Sequence, residues 1–541
     1  MKLTLLKRTI AVGSALSLML SASAVAANAA EIEEFGAGAA QTASVADQED
    51  PIELPQSYSS LDLGYVTGIK SQEYSDCWAY ATLSTLETKL LKEGYTNVDM
   101  SETHLNGWAT KHSNDKGWQR TIFEDGYQNT GLGYLLSWQG GILLEDAGNL
   151  DLYEMTSSDS FTGFAPRYGV IAAEQFSGSD PQSIKRAIYE NGSVDSAFGF
   201  AKYCLNANNG AYYMNPDFSG TFSGHAVQII GWDDNYSVEN FKSSPRPTNP
   251  GAWLIKNSWG TSAGSGYLWI SYEDKYLLGT KYKPSFAIKS VMPINENVKL
   301  LQNEIYGSTY EFSYVKQDDV TYLNRFDFEE DFRTIDKVIF KSECLGGTYT
   351  IYYIPDNNNA PDADESTWQR LYTGTIDYMG YICADIEDEK LPAGKGSIAV
   401  RIDSSEVSQQ SGNYSSIGVG EWLTASGKYV FLNDSRYGES YIYYDNTMSD
   451  LLDWYSDVNN DQLGGTFAIK AVVNKNAPEP IMGDIDLDGE LTINDATLLQ
   501  FYLAELETLS DEALAVADID NDGYIDINDA TTIQKILVGL I

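Results

Sequence analysis

The sequence predicts three regions in one chain: an α+β domain, an all-β sandwich or jelly roll, and a small α module of two loop-helix units. Three observations predict it. At 541 residues the chain is longer than one hydrophobic core organises, so two to four domains are expected. Near residue 295 the texture changes from mixed helical and strand patterns to short alternating and aromatic runs. A twenty-residue unit then occurs twice near the C-terminus, at a spacing of 34 residues.

Composition narrows the function classes. With 35 Lys plus Arg against 77 Asp plus Glu, the net charge is −42, and a phosphate backbone would meet a repelling surface. Nucleic acid is excluded as a partner. A hydrophobic content of 43% with 12% aromatics is that of a folded acidic protein rather than a disordered one. Residues 1–29 carry Lys2, Lys7 and Arg8, then an apolar run, then Ala27-Asn28-Ala29, the pattern of a secretory signal peptide. No later apolar run reaches the length of a spanning helix, so membrane insertion is not expected and the mature protein is expected to be extracellular. Residues 30–53 then form a short propeptide or N-terminal extension. Four cysteines, Cys77, Cys204, Cys344 and Cys383, are too few for a disulfide-built scaffold, although Cys344 and Cys383 are candidates for one bridge.

In the α+β region, 54–288, the apolar residues Trp78, Ala81, Leu83, Leu86 and Leu90 predict a helix from Cys77 to Glu93, and strands are expected over 226–231 and 252–256. Three residue types suited to acyl transfer are spread over these elements. Cys77 opens the helix, His225 opens a strand, and Asn257 lies at a strand end. A thiol is only slightly ionised at neutral pH, so a nucleophilic Cys needs a helix N-terminus or an imidazole beside it. His225 would hold the thiolate and protonate the leaving amine, and Asn257 would orient the ring. Singly, each has a plainer explanation: a small core residue, a satisfied core histidine, a turn residue.

Together they resemble the papain-like cysteine proteases in order and context. His225 lies 148 residues past Cys77, and Asn257 lies 32 past His225. Leu54-Pro55, Val66 to Lys70, Ser101-Glu102, Gly231-Trp232-Asp233, Gly264 to Gly266 and Trp269 look like the family's framework. The resemblance implies that Gln72 joins the Cys77 N–H in an oxyanion hole and that Trp259 shields the Asn257–His225 bond from water. It also implies a protein or peptide substrate and no cofactor for catalysis. Two departures stand out: Tyr74-Ser75-Asp76-Cys77 replaces the family's Cys-Gly-Ser-Cys, and Gln72 stands five rather than six residues before the nucleophile. Asp76 is expected to cap the helix and to raise the thiol pKa. The bare backbone of Gly131 and Gly133, with Trp259, is the expected substrate-binding surface.

Residues 295–474 hold 17 of the 37 tyrosines. On a β-sandwich these are mostly core and cross-strand pairs, while exposed ones can stack on sugars. The region resembles the lectin-like domain behind papain-like domains in some secreted Gram-positive proteases, which implies a carbohydrate partner. The linker 475–482 contains two prolines.

In the repeat, twelve of twenty positions are identical between 484–503 and 518–537. Carboxylates on alternate residues with Gly at the bend supply the oxygens a hard cation wants. The expected ligands are Asp484, Asp486, Asp488, Thr492 and Asp495 in one loop and Asp518, Asp520, Asp522, Asp526 and Asp529 in the other, with the carbonyls of Glu490 and Tyr524. The plainer alternative is a pair of acidic turns. Residues 484–541 hold 14 acids and one base, Lys535, a self-repelling module unless cations enter it. The module, 483–541, resembles a dockerin. That resemblance implies two bound Ca²⁺ ions and a cohesin partner on a scaffold or cell surface, contacted through Ile493, Asn494, Phe501, Ile527, Asn528 and Lys535. The resulting expectation is a secreted cysteine endopeptidase docked on a cohesin-bearing, cellulosome-like scaffold. The alternative is a non-catalytic scaffold-borne carbohydrate-binding or adhesion protein with a lapsed protease domain.

Overall fold

A computed structural model describes residues 53–541 except 111–116, 119, 149, 151–160, 162, 177, 179, 262–265, 279–283, 306, 308–309, 316–319, 404–413, 422–430, 433–435, 457–464 and 477–480. The expected signal peptide, all of the expected N-terminal extension but Glu53, part of the expected linker, and the framework residues Gly264 and Ser265 lie outside the described residues.

The helix Cys77–Lys92 runs through the middle of the α+β region and buries every residue from Trp78 to Leu90 except Tyr80. A helix packed on all sides needs no polar face, which is why apolar residues and small hydroxyls alternate around it. It stops at Gly94, whose φ of 90° suits only glycine well, and the Tyr95 N–H closes the end on the Leu90 carbonyl at 3.0 Å. On one side the helix meets an antiparallel sheet containing Tyr168–Phe176, Val194–Phe200, Ser223–Asp233, Ala252–Lys256, Tyr267–Ser271 and Ser285–Pro293. Phe198 pairs with His225, and Gln228 with Lys256, so the strand ends that carry chemistry are fixed by backbone ladders.

The β region is a sandwich. Strand Thr348–Asn357 turns Tyr349, Ile351 and Tyr353 into one core, where they meet Phe340, Ile382 and Ala471 of the facing sheet. That facing sheet is continuous with the sheet of the α+β region: Gly380 and Tyr381 pair with Glu174 and Ala173. Gly380 is needed there, since a Cβ would stand 2.3 Å from the Ala173 carbonyl oxygen. Strand Ser285–Pro293 also runs across the expected boundary at 288–295. Residues up to Asn474 therefore make one compact unit rather than two separate bodies.

The second unit begins at Lys475. Helices Ile493–Leu503 and Ile527–Leu537 enclose a core of Ile485, Ala496, Leu499, Val516, Ala517, Ala530 and Ile533. Among the described residues no helix is long and apolar enough to cross a membrane.

Candidate active site and metal loops

The three chemistry-bearing residues of the α+β region meet. Cys77 is the first residue of its helix, and its sulfur accepts the Ala226 N–H at 3.4 Å, which sets it beside His225. Nε2 of His225 lies 2.7 Å from Oδ1 of Asn257. The same Oδ1 accepts the backbone N–H of Ser258 at 2.9 Å. A backbone N–H can only donate, so it pins the amide oxygen toward the ring. Nε2 must then carry a hydrogen, and in the neutral ring Nδ1 keeps its lone pair. Trp259 stacks on the imidazole with centroids 4.4 Å apart and planes 22° apart, and meets Phe200 edge-on at 4.6 Å. It therefore covers one face of the ring.

Gln72 is held from two directions. Ser258 Oγ donates to its Oε1 at 2.6 Å, and its backbone N–H donates to the Ser258 carbonyl at 2.8 Å. Its Nε2 donates one hydrogen to the Tyr74 carbonyl at 2.8 Å and has a second left. Ser258 thus fixes both Asn257 and Gln72, a role that a sequence reading has no signal for.

Burial pushes the Cys77 thiol up to about 11, the Ala226 N–H opposes this, and the nearby Asp76 and Asp195 carboxyls add to it. Burial likewise pushes His225 down to about 4, against the pull of Asn257. Each shift opposes a lone charge. Moving the proton from sulfur to ring creates both charges side by side, where each offsets the other's loss of water.

Asp76 differs from expectation. It stands at the N-cap position but makes no side-chain cap bond. Its φ of −108° and ψ of 19° lie outside the extended region usual for a capping side chain, and its Oδ2 instead faces Asn106 Nδ2 at 3.5 Å. Gly131 and Gly133 also differ. Both lie buried inside helix Gln128–Leu136, where the backbone is satisfied internally and cannot pair with a peptide. A Cβ on Gly131 would stand 2.3 Å from Thr82 Oγ1, so this glycine lets two helices approach. The bare backbone near the thiol is Gly126. It lies against the indole of Trp78, the residue after Cys77, and a Cβ there would come within 2.5 Å of that ring. Among the described residues neither its N–H nor its C=O has a hydrogen-bond partner.

Cys344 and Cys383 are not bridged. They face different cores: Cys344 sits inside the sandwich, and Cys383 packs against the core of the α+β region. His104 is structural, buried between the Tyr134 hydroxyl at 2.7 Å and the Phe161 carbonyl at 2.8 Å.

In the second unit Asp484, Asp486 and Asp488 bring carboxylate oxygens within 4.8 Å of one another, and Asp518, Asp520 and Asp522 repeat this. Three hard oxygens on alternate residues of one loop fit Ca²⁺. Asp486 and Asp520 are pushed above the usual carboxylate range, by desolvation first and neighbouring carboxylates next, as expected where a cation's charge belongs. The other assigned residues make hydrogen bonds around the same two loops. Asp495 Oδ2 accepts the Thr492 N–H at 2.7 Å and its Oδ1 the Ile485 N–H at 2.7 Å. Asp529 Oδ2 accepts the Asp526 N–H at 2.8 Å, and Thr492 and Asp526 are the N-caps of the two helices. The N–H groups of Glu490 and Tyr524 donate to Asp488 and Asp522, both at 2.9 Å. Ile493, Asn494, Phe501, Ile527, Asn528 and Lys535 are all exposed.

Three stretches of the chain match known protein families. Residues 54–288 match the papain family cysteine protease model, 300–472 the lectin-like domain, and 482–538 the dockerin type I domain. The solved structure of the clostridial cysteine protease Cwp84 after propeptide cleavage is 32% identical, with a TM-score of 0.69, covering 78% of this chain and 99% of that one. The protease and lectin-like domains of Cwp84, a surface layer associated protein of Clostridium difficile, match at 32% identity and a TM-score of 0.68 over 79% and 90% of the two chains. Among curated proteins, cathepsin L2 of Homo sapiens is 25% identical over 228 residues, 41% of this chain and 61% of its own. Fruit bromelain of Ananas comosus is 25% identical over 218 residues, 39% and 53% of the two chains. The chain thus spans only about half to three fifths of these curated relatives' lengths. With a 32%-identical relative matched over nearly its whole length and the thiol, imidazole and carboxamide gathered at one spot, this chain belongs to the papain family of cysteine proteases.

Proposed function

We propose that the chain is a secreted cysteine endopeptidase that hydrolyses peptide bonds with Cys77, His225 and Asn257. The observation that carries this reading is the 2.7 Å bond from the ring to an Asn257 oxygen pinned by Ser258, on the far side of an imidazole whose neighbour Ala226 donates to the Cys77 sulfur. Nδ1 of His225 takes the thiol proton as the sulfur attacks the scissile carbonyl carbon, and returns it to the leaving amine. The negative charge on the carbonyl oxygen is met by the Cys77 N–H and the second Nε2 hydrogen of Gln72. Water then attacks the thioester with the same ring as base, and the sulfur leaves with its proton restored. An extended peptide pairs with the unpartnered backbone of Gly126, in place of the helical Gly131 and Gly133.

The second unit is read as a calcium-dependent plug for a cohesin domain. Asp484, Asp486, Asp488, Asp518, Asp520 and Asp522 hold the ions, one per loop, and the exposed Ile493, Phe501 and Ile527 supply the apolar part of the contact. Attachment to an extracellular scaffold follows from this reading, and the surface-layer association of Cwp84 supports a cell-surface setting. A carbohydrate ligand for the lectin-like domain rests on the family description alone.

The test is digestion of a peptide library in reducing buffer by the wild type and by Cys77→Ala. The expected result is loss of cleavage by at least roughly 10³-fold in the variant. Equal cleavage by both would end the protease reading.

A further inference from the structure

Arg120 takes no part in the steps above, yet it is 4% exposed and heavily bonded close to the thiol. Its Nη1 donates to the carbonyls of Asn106 at 3.0 Å and Ala109 at 2.9 Å. Its Nη2 donates to Asn106 Oδ1 at 2.7 Å and to the Glu124 carbonyl at 2.6 Å, and its Nε to the Asp125 carbonyl at 3.3 Å. These acceptors lie in two places: at the end of helix Glu102–Trp108, and in the run leading to Gly126. The guanidinium also lies over the Trp78 ring, 5.0 Å from its centroid. A planar fork with five donors can hold both segments at fixed angles, and an ammonium cannot. Asn106 adds to the clamp by donating to the Ile122 carbonyl at 3.1 Å.

The clamp has an anchor outside the α+β region. The Arg120 N–H donates to the Trp118 carbonyl at 2.7 Å, and Trp118 is buried in the same core as Trp78. The short strand Gly117–Trp118 pairs antiparallel with Phe431–Leu432 of the lectin-like domain, Gly117 with Leu432 and Trp118 with Phe431. The backbone of that domain is therefore one short strand away from the clamp that holds the cleft edge.

We propose that Arg120 is a positioning residue for substrate binding, and that the lectin-like domain, through Phe431–Leu432, secures it and so contributes to the protease's affinity for peptides. Arg120 holds residues 124–127 against Trp78, so that the Gly126 backbone stands ready to pair with an extended substrate. It touches neither the sulfur nor the imidazole, so its loss acts on binding rather than on the chemical step. This rests on the protease reading.

The experiment measures kcat and KM on a peptide substrate, and the rate of Cys77 alkylation by iodoacetamide, for the full chain as wild type, Arg120→Gln, Arg120→Lys and Leu432→Pro. Proline lacks the N–H and cannot keep the strand pairing. In Arg120→Gln and Leu432→Pro, KM is expected to rise about tenfold, with kcat within about threefold and alkylation within about twofold of wild type. Arg120→Lys falls between wild type and Arg120→Gln. An unchanged KM in these variants, or a joint fall of kcat and alkylation, overturns the proposal. If Arg120→Gln does not fold, Leu432→Pro decides alone: a raised KM supports the proposal and an unchanged one overturns it. A wild type without Cys77-dependent turnover would instead defeat the protease reading.

Discussion

The two compact units of the chain handle carboxylates in opposite ways. In the unit ending at Asn474, several buried acids meet cations of the chain itself. Glu87 accepts Lys70 Nζ at 2.9 Å, Glu304 faces Lys470 at 3.3 Å, and Arg325 grips Asp356. In the unit from Lys475 the loop acids among the described residues meet backbone N–H groups, the Thr492 hydroxyl and the Asn528 amide rather than a cation, and the basic side chains of the unit are Lys475 and Lys535. The first unit also has large shared cores, whereas the core of the second gathers seven buried apolar residues among the described ones. A unit that pairs buried acids with its own cations around large cores stands without help, and one with a small core and clustered loop acids is expected to depend on an ion from outside.

Chelation of calcium sharpens this contrast most. The unit from Lys475 is expected to lose its fold and its cohesin binding. At a thousandfold excess over Kd each ion contributes about 4 kcal/mol. Calorimetry should show one transition lost and the other unmoved, with peptide hydrolysis unchanged, and a shift of both transitions would break the contrast. Next in size is Glu87→Gln, which leaves Lys70 and Lys256 short of a buried countercharge and should cost about 3 to 5 kcal/mol in denaturant unfolding of the first unit. Calcium uptake by the second unit should not change. Gly131→Ala drives a methyl into Thr82 and should cost about 1 to 3 kcal/mol. Because this glycine spaces helices rather than binding peptide, a KM rise at full stability would contradict that role.

The smallest effect concerns pH. Asp76 disfavours the thiolate beside it, so Asp76→Ser should lower the thiol pKa, and the rise of alkylation rate with pH should begin at lower pH. An unchanged profile would leave burial alone responsible.

Much of the site is legible in the sequence because its chemistry demands particular residues. Cys77, His225 and Asn257 lie far apart in the chain but have few substitutes, and the helix and strands that carry them show clear apolar periodicity. The acidic repeat is legible for the same reason. Glycine misleads: a turn, a cleft edge and a helix crossing all call for a missing side chain. Gly131 and Gly126 separate only when Thr82 and Trp78 are seen beside them. Ser258 and Arg120 carry no local signal, since Ser258 pins Asn257 with a backbone N–H and Arg120 grips backbone carbonyls, groups that nearly every residue possesses. The candidate bridge between Cys344 and Cys383 does not form because a sheet has two faces, and these cysteines pack toward different cores.

By itself the sequence determined the main element types, the order of the domains and the candidate reacting groups, since these follow from side-chain chemistry and short-range periodicity. Only the tertiary structure decided that the protease and lectin-like regions share one sheet, which backbone edge stands free beside the thiol, and which carboxylates gather for an ion. Those depend on contacts between segments tens to hundreds of residues apart, where any backbone can pair with any other and packing alone selects the partner.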